Sequence, residues 1–302
     1  MNIVNDFLLK DTNMALATAG FTLLSAFLFF LSSALYYNYR KSRQLPYNGL
    51  KFTTKNITYI AMMVAVSVSI TVVISMTLPI TVFPPIRIAF SGIMIKITGL
   101  FFGPVVGIIA GLITEGLCII FIPSYIHIAY LFVALSFGFW AGIVSYTKDW
   151  KGKNKWWTFL IINLYTIAFT AIMWFITMNG SHEDAVFFGI EIPGKFIPAL
   201  FLIMMGLTLF VIWLIAFVLV ALKREHWLEI ILPIILLCIV TETLATILLA
   251  SWGDSKILGI PDYQGGYSSM VIVRLLQAPL KIAFNTTVLS TVFWVMKPIL
   301  KK

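Results

Sequence analysis

Nine apolar stretches follow one another along this 302-residue chain, at about 14–38, 56–82, 88–102, 104–122, 126–147, 157–178, 196–222, 228–251 and 270–296. A hydrocarbon layer about 30 Å thick is spanned by roughly 20 helical residues. Inside it, every backbone N–H and C=O must be satisfied within the protein, which long apolar stretches achieve as helices. The sequence therefore predicts an all-α polytopic membrane protein. No gap between the stretches is long enough for a soluble domain, so any catalytic or energy-coupling module must come from another chain.

Composition agrees, with 60% apolar and 11% charged residues, against about 45–50% and about 25% in soluble domains. In a soluble protein a net charge of +9 would raise the question of nucleic acid. Here no basic run is interleaved with stacking aromatics, and most Lys and Arg sit in short gaps, as in cytoplasmic membrane loops. Nucleic-acid binding is excluded on that ground. The first stretch is longer than the roughly 7–15 residues of a signal-peptide core, which predicts a retained helix. Cys118 and Cys238 both lie within apolar stretches, so neither a disulfide framework nor a cysteine metal site is expected.

Loop charges set an orientation. Arg40, Lys41, Arg43, Lys51 and Lys55 follow the first stretch; alternate gaps then hold Lys148, Lys151, Lys153 and Lys155, then Lys223 and Arg224, then Lys297, Lys301 and Lys302. The opposite gaps and the N-terminus hold only Lys10, Arg87, Lys195 and Lys256, with most of the acidic loop residues. The positive-inside rule then predicts an external N-terminus and a cytoplasmic C-terminus. The third and fourth stretches, parted only by Phe102-Gly103-Pro104, read as a tight helical hairpin, glycine reversing the chain and proline opening the next helix.

Several enzyme signatures are missing. Gly189 to Lys195 approaches a phosphate-binding loop, but Phe196 occupies the position where a hydroxyl must ligate magnesium, and no strand precedes it. His127, His182 and His226 lack metal-ligand spacing, and there is no G-x-S-x-G elbow.

What remains is intramembrane polarity. Gly99, Gly103, Gly107 and Gly111 recur every four residues, and Glu115 continues the row. A carboxylate there needs a partner or a cavity; Lys96 on the neighbouring stretch would supply a structural ion pair, and a substrate is the alternative. In the last stretch Arg274, Gln277, Lys281 and Asn285 fall on one helical side. Two cations at mid-membrane cost about 2.5–3.5 kcal/mol each unless they meet water, a carboxylate or an anionic ligand. Arg274, near the outer end, can snorkel; Lys281, two turns deeper, cannot do so easily. Glu242, between Thr241 and Thr243, either pairs with Lys281 or accepts hydrogen bonds from a donor-rich heterocycle. External segments containing Arg87, Tyr125 and His127 lie above the same face. Ala61 and Ala65 place two small side chains one turn apart, for packing within the chain or against a partner helix.

The run from Pro85 to Glu115, with its F-G-P-x-x-G core, resembles the second and third helices of the substrate-binding S components of energy-coupling-factor (ECF) vitamin transporters. Ala61-x-x-x-Ala65 resembles the small-residue motif on their first helix, which in that family contacts the transmembrane coupling subunit. The segments Ile122 to Gly142 and Thr241 to Gly253, and the final R-L-L-Q-A-P-L-K-I-A-F-N-T, are similar to folate-specific members. Glu115 stands where those members tend to carry Asp.

The resemblance implies a six-helix core with about three additional helices. It divides the chain into an extra N-terminal helix and basic linker (1–55), S-component helices one to four (56–147), an inserted hairpin (148–227) and the final two helices (228–302). It implies high-affinity capture of a vitamin, folate first, at a plasma membrane, with energy from two ATP-binding-cassette subunits acting through the coupling subunit. ATP would be used by those partners, with no cofactor or metal in this chain. Arg274 and Lys281 would neutralise substrate carboxylates, Gln277 and Asn285 would hydrogen-bond, and Glu242 or Glu115 would read a pterin edge. Lys96, Arg87, Tyr125 and His127 complete the expected binding set, and Ala61 and Ala65 the docking face. Riboflavin or another vitamin, and a proton-coupled secondary transporter of a small organic anion using Glu115 and Glu242, are the alternative readings.

Overall fold

The computed structural model describes residues 13–42, 54–77, 84–121, 127–149, 154–179, 185–187, 190–259 and 266–301. Within them the chain forms helices α1 (Asn13–Ser42), α2 (Thr54–Thr77), α3 (Pro84–Phe102), α4 (Pro104–Phe121), α5 (Ile128–Val144), α6 (Lys155–Asn179) and α7 (Ile197–Ala221). Helix α8 is assembled from α-helical Leu228–Val240, π-helical Thr241–Ala250 and α-helical Ser251–Ile257, and α9 covers Gly266–Lys301. A short antiparallel hairpin, β1 (Ala185–Phe187) with β2 (Ile190–Ile192), joins α6 to α7, with Val186 opposite Glu191.

This is an all-α polytopic membrane protein. Among the described residues seven helices, α1, α2 and α4 to α8, are long and apolar enough to cross a membrane. Helix α3 adds the shorter apolar segment Gly92–Phe102. Helix α9, interrupted by Arg274 and Lys281, is continuous through Pro279.

The expected reversal between α3 and α4 forms at Gly103, whose φ of 87° is a conformation that only glycine enters without strain. Its N–H bonds Gly99 O at 2.8 Å, and its own carbonyl accepts from Gly107 at 3.0 Å. The glycine row then serves packing inside the chain. A Cβ on Gly107 would collide with the Gly138 carbonyl, and one on Gly111 with that of Ala134, so α4 lies backbone-to-backbone on α5. Gly99 and Gly142 complete the close approach between α3, α4 and α5.

Helix α8 is the centre of the molecule. In the 18-residue apolar window within Glu225–Ile257, 83% of the residues are buried, against 22% in the corresponding windows of α6 and of α7. A helix apolar on every side is stable only when surrounded, and α8 is enclosed by α1, α5, α6 and α9. One core cluster joins Met63 of α2, Ile97 of α3, Ala141 of α5, Leu228 to Val240 of α8, and Ile282, Leu289 and Phe293 of α9. Helix α1 rests on this body through Ala15 and Ala19 and a Phe21–Trp140 stack. Its other faces expose Leu24, Phe27, Leu31 and Leu35, as a lipid-facing helix must.

Candidate functional site

The polar centre is built where the π-helical segment of α8 meets α9. In a π-helix the hydrogen bond skips to the fifth residue, which widens the turn and releases carbonyls from the usual ladder; such stretches are rare and recur at functional sites. Here the side chains support it. Thr241 and Thr243 donate back to Leu237 O and Ile239 O at 2.7 and 2.8 Å. Two carbonyls are taken by α9: Arg274 donates to Thr246 O at 3.0 Å and the Tyr267 hydroxyl to Leu248 O at 3.0 Å.

Arg274 is held in place. Its Nε lies 3.2 Å from Asp254 Oδ2, and a second guanidinium nitrogen makes a very short bond to the same oxygen. The other carboxylate oxygen accepts from Tyr130 of α5 at 2.6 Å. Gly253 gives the Tyr130 ring its room, since a Cβ there would meet the ring at 2.9 Å. The sequence placed Asp254 in an external gap and ended the helix near 251. The structure corrects this: α8 continues to Ile257, and Asp254 is buried because Arg274 offsets its charge. The expected meeting of Arg274 with a substrate carboxylate thus has a competitor already in place.

Deeper along α9 the arrangement changes. Lys281 Nζ lies 3.8 Å from Glu242 Oε1, close enough for an ion pair and too far for a hydrogen bond. Both atoms, together with Asn285 Oδ1 and Ser290 Oγ, are buried without a hydrogen-bond partner among the described residues. Lys96 of α3 is fully buried beside them, its Nζ 4.3 Å from the Phe137 ring centroid. Its electrostatic neighbours are Glu242 and Cys238. The sequence offered Glu115 as the partner of Lys96; the structure instead sets Lys96 within electrostatic reach of Cys238 and Glu242, because α3 is wedged among α2, α4 and α5 with Lys96 on the side that faces Phe137 of α5. Glu115 is half-buried on α4.

Gln277 is half-buried on the stripe between Arg274 and Lys281. His127 caps α5, its Nδ1 accepting from the Ala129 N–H at 3.2 Å, and its ring stands edge-on to Trp252 at 5.1 Å. Partial burial and the charge of Lys256 hold its pKa below the usual 6.5. Arg87 lies early in α3 and its side chain is outside the described residues, as is Tyr125. Ala61 and Ala65 are exposed on α2, while Val64, Ser67 and Val68 on the adjoining side are buried, so the described residues leave the small-residue pair uncovered. Sequence reasoning missed Asp254, Tyr130, Ser290 and Thr286, which stands beside the Cys238 thiol.

In chemical terms the cluster combines three cations, Lys96, Arg274 and Lys281, with two carboxylates, Glu242 and Asp254. By formal count one positive charge is left over, beside oxygens and an ammonium without a hydrogen-bond partner among the described residues. Such a group is suited to receive an anion or a strongly polar molecule. Among the described residues no His, Cys, Asp and Glu cluster could hold a metal.

The sequence profile of the ECF-type riboflavin transporter S component family matches residues 51–216, more than half of the chain. The chain belongs to this family. By its description, the family is one of transporter S components. The matched stretch runs from α2 into α7; α8 and α9, which carry most of the buried charge, follow it. The chain is also similar to a protein of Mycoplasma pneumoniae described as "Uncharacterized protein MG098 homolog", at 35% identity over 108 residues. That match covers 34% of this chain and 22% of the relative's length. No solved structure matches the chain.

Proposed function

We propose that this S component captures an anionic heterocyclic vitamin, folate first, in the cluster formed by Lys96, Glu242, Lys281 and Asn285. The observation that carries the reading is the buried excess of one cation beside unpartnered polar atoms. A folate carboxylate would balance the charge through Lys281 and Lys96, and Asn285 and Gln277 would hydrogen-bond. Glu242 would accept from paired N–H groups of the ring, as charge-assisted bonds are roughly twice as strong as neutral ones. Arg274, committed to Asp254, then fixes the α8–α9 geometry around the ligand. Riboflavin is the second reading, favoured by the description of the matching family.

The six-helix core in this account is α2 to α5 with α8 and α9, as the family resemblance implies; the main apolar cluster joins α2, α3, α5, α8 and α9 and also takes in Ile162 of α6 and Ile212 and Ala216 of α7, while α4 packs on α2, α3 and α5. Helices α1, α6 and α7 cover it on the lipid side. The exposed Ala61–Ala65 face of α2 would dock the transmembrane coupling subunit, with two ATPase subunits supplying energy. The basic gaps favour a cytoplasmic C-terminus and an N-terminus outside the plasma membrane. Equilibrium binding of radiolabelled folate and radiolabelled riboflavin to the purified full chain tests the reading. Saturable folate binding supports it, riboflavin binding alone selects the second reading, and binding of neither defeats both.

A further inference from the structure

One polar contact ties the lipid-side helix α6 to the charged centre. The Tyr165 hydroxyl lies 2.5 Å from Thr243 Oγ1, next in sequence to Glu242. Thr243 is fully buried, and its single hydroxyl proton is directed to the backbone, with Ile239 O at 2.8 Å and Val240 O at 3.1 Å. The proton between the two hydroxyls must then be the tyrosine's: Tyr165 donates and Thr243 accepts. Tyr165 is itself fixed, packed against the main core cluster and stacked parallel to Phe169 at 6.5 Å.

We infer that Tyr165 is a positioning residue, which sets the rotation of the π-helical segment of α8 and so the direction in which Glu242 faces Lys281 and Lys96. This rests on the reading of that cluster as the vitamin site. Thr243 and Glu242 leave the helix about a quarter-turn apart, so a bond holding one toward α6 holds the other toward α9. Side-chain tips stand about 6 Å from a helix axis, and a rotation of about 10° moves them by about 1 Å. A binding constellation tolerates only about 0.5 Å. A π-helical stretch is a rare departure from the α-helical ladder, here braced by side chains, the Thr246 Oγ1 reaching back to Thr241 O at 3.4 Å, and the Tyr165 bond adds a tether from outside the helix.

Two measurements on the purified full chain test this. The first is hydrogen exchange of the segment 241–250 in Tyr165→Phe, which removes the donor and leaves Thr243 still bonded to the backbone. Exchange there is expected to quicken about threefold to tenfold, the range for one interhelical hydrogen bond in a membrane protein, with other helices unchanged. The second is affinity for whichever of folate or riboflavin the wild type binds. Tyr165→Phe and Thr243→Val are each expected to weaken it by a similar factor at unchanged melting temperature. Thr243→Ser, which keeps the acceptor, is expected to restore it, and the Tyr165→Phe/Thr243→Val pair to be no weaker than Thr243→Val alone. Exchange at the wild-type rate in Tyr165→Phe overturns the inference, as does loss in Thr243→Ser equal to that in Thr243→Val. If the wild type binds neither vitamin, the reading of the site falls, and the exchange rates still decide whether Tyr165 holds the segment.

Discussion

Arg274 and Asp254 form an ion pair sealed inside the helix bundle, with side-chain exposures of 1% and 2%. The carboxylate is shared with Tyr130 and the guanidinium with Thr246 O, so the pair joins α5, α8 and α9 at one point. Removing one member strands the other charge, which costs about 3–5 kcal/mol, whereas replacing both by apolar residues of similar volume is often neutral. Asp254→Asn and Arg274→Met are each expected to lower the thermal unfolding midpoint in detergent strongly, and Asp254→Leu/Arg274→Met to recover most of the loss. Additive losses in the double variant would contradict the pairing.

Gly138 sits where α4 and α5 touch through their backbones. In an exposed helix, glycine to alanine gains about 1 kcal/mol from propensity, yet a Cβ on Gly138 would run into the Gly107 carbonyl, which cannot yield as a side chain can. Gly138→Ala is therefore expected to destabilise the fold or abolish its expression. Gly116→Ala, on the same hairpin with nothing within 4 Å of the added atom, is expected to be neutral or slightly stabilising. Size-exclusion profiles and unfolding midpoints of the two variants make the comparison.

His127 gives the protein a pH dependence with a definite sign. Its folded-state pKa lies below 6.5, the unfolded value, so the unfolded chain takes up the proton first as the solution is acidified. Its contribution to stability is present above 6.5 and is lost as the pH falls through the folded value. Protonation also destroys the Nδ1 acceptor that caps α5. Melting temperature measured from about pH 7.5 to about pH 5 should fall less steeply in His127→Asn, which caps without titrating. Identical slopes would remove His127 as the cause.

The outward face of α2 separates docking from binding. Ala61→Trp and Ala65→Trp add bulk at positions that are exposed among the described residues, so vitamin affinity is expected to match the wild type. Co-purification with the coupling and ATPase subunits is expected to be lost, because close helix approach in lipid depends on small side chains. Intact co-purification, or a loss of affinity equal to the loss of assembly, would argue against a docking role.

The spans were legible because lipid imposes one requirement that apolar length answers directly; all nine expected stretches correspond to helices among the described residues. The reversal at Gly103 was legible because glycine and proline act locally. Asp254 was misread for the same reason: Trp252-Gly253-Asp254-Ser255 has the composition of a loop, and only Arg274, 20 positions away, makes it helix. The π-helical geometry of Thr241–Ala250 has no period that a sequence displays. The partner of Lys96 depended on which way α3 turns against α5, a matter of packing around Gly92 and Phe137. The α9 stripe gave Lys281 and Asn285, which lie in the cluster, but could not tell a cation already paired, Arg274, from one with an unmet partner.

The most direct measurement is vitamin binding by the purified full chain in three forms: wild type, Lys281→Met and Glu242→Gln. The expected result is saturable binding of folate by the wild type, weakened at least about tenfold in each variant, since a charge-assisted hydrogen bond is worth about 1.5–3 kcal/mol, with all three forms folded. Undiminished affinity in both variants would contradict the assignment of the α8–α9 charges to the substrate site.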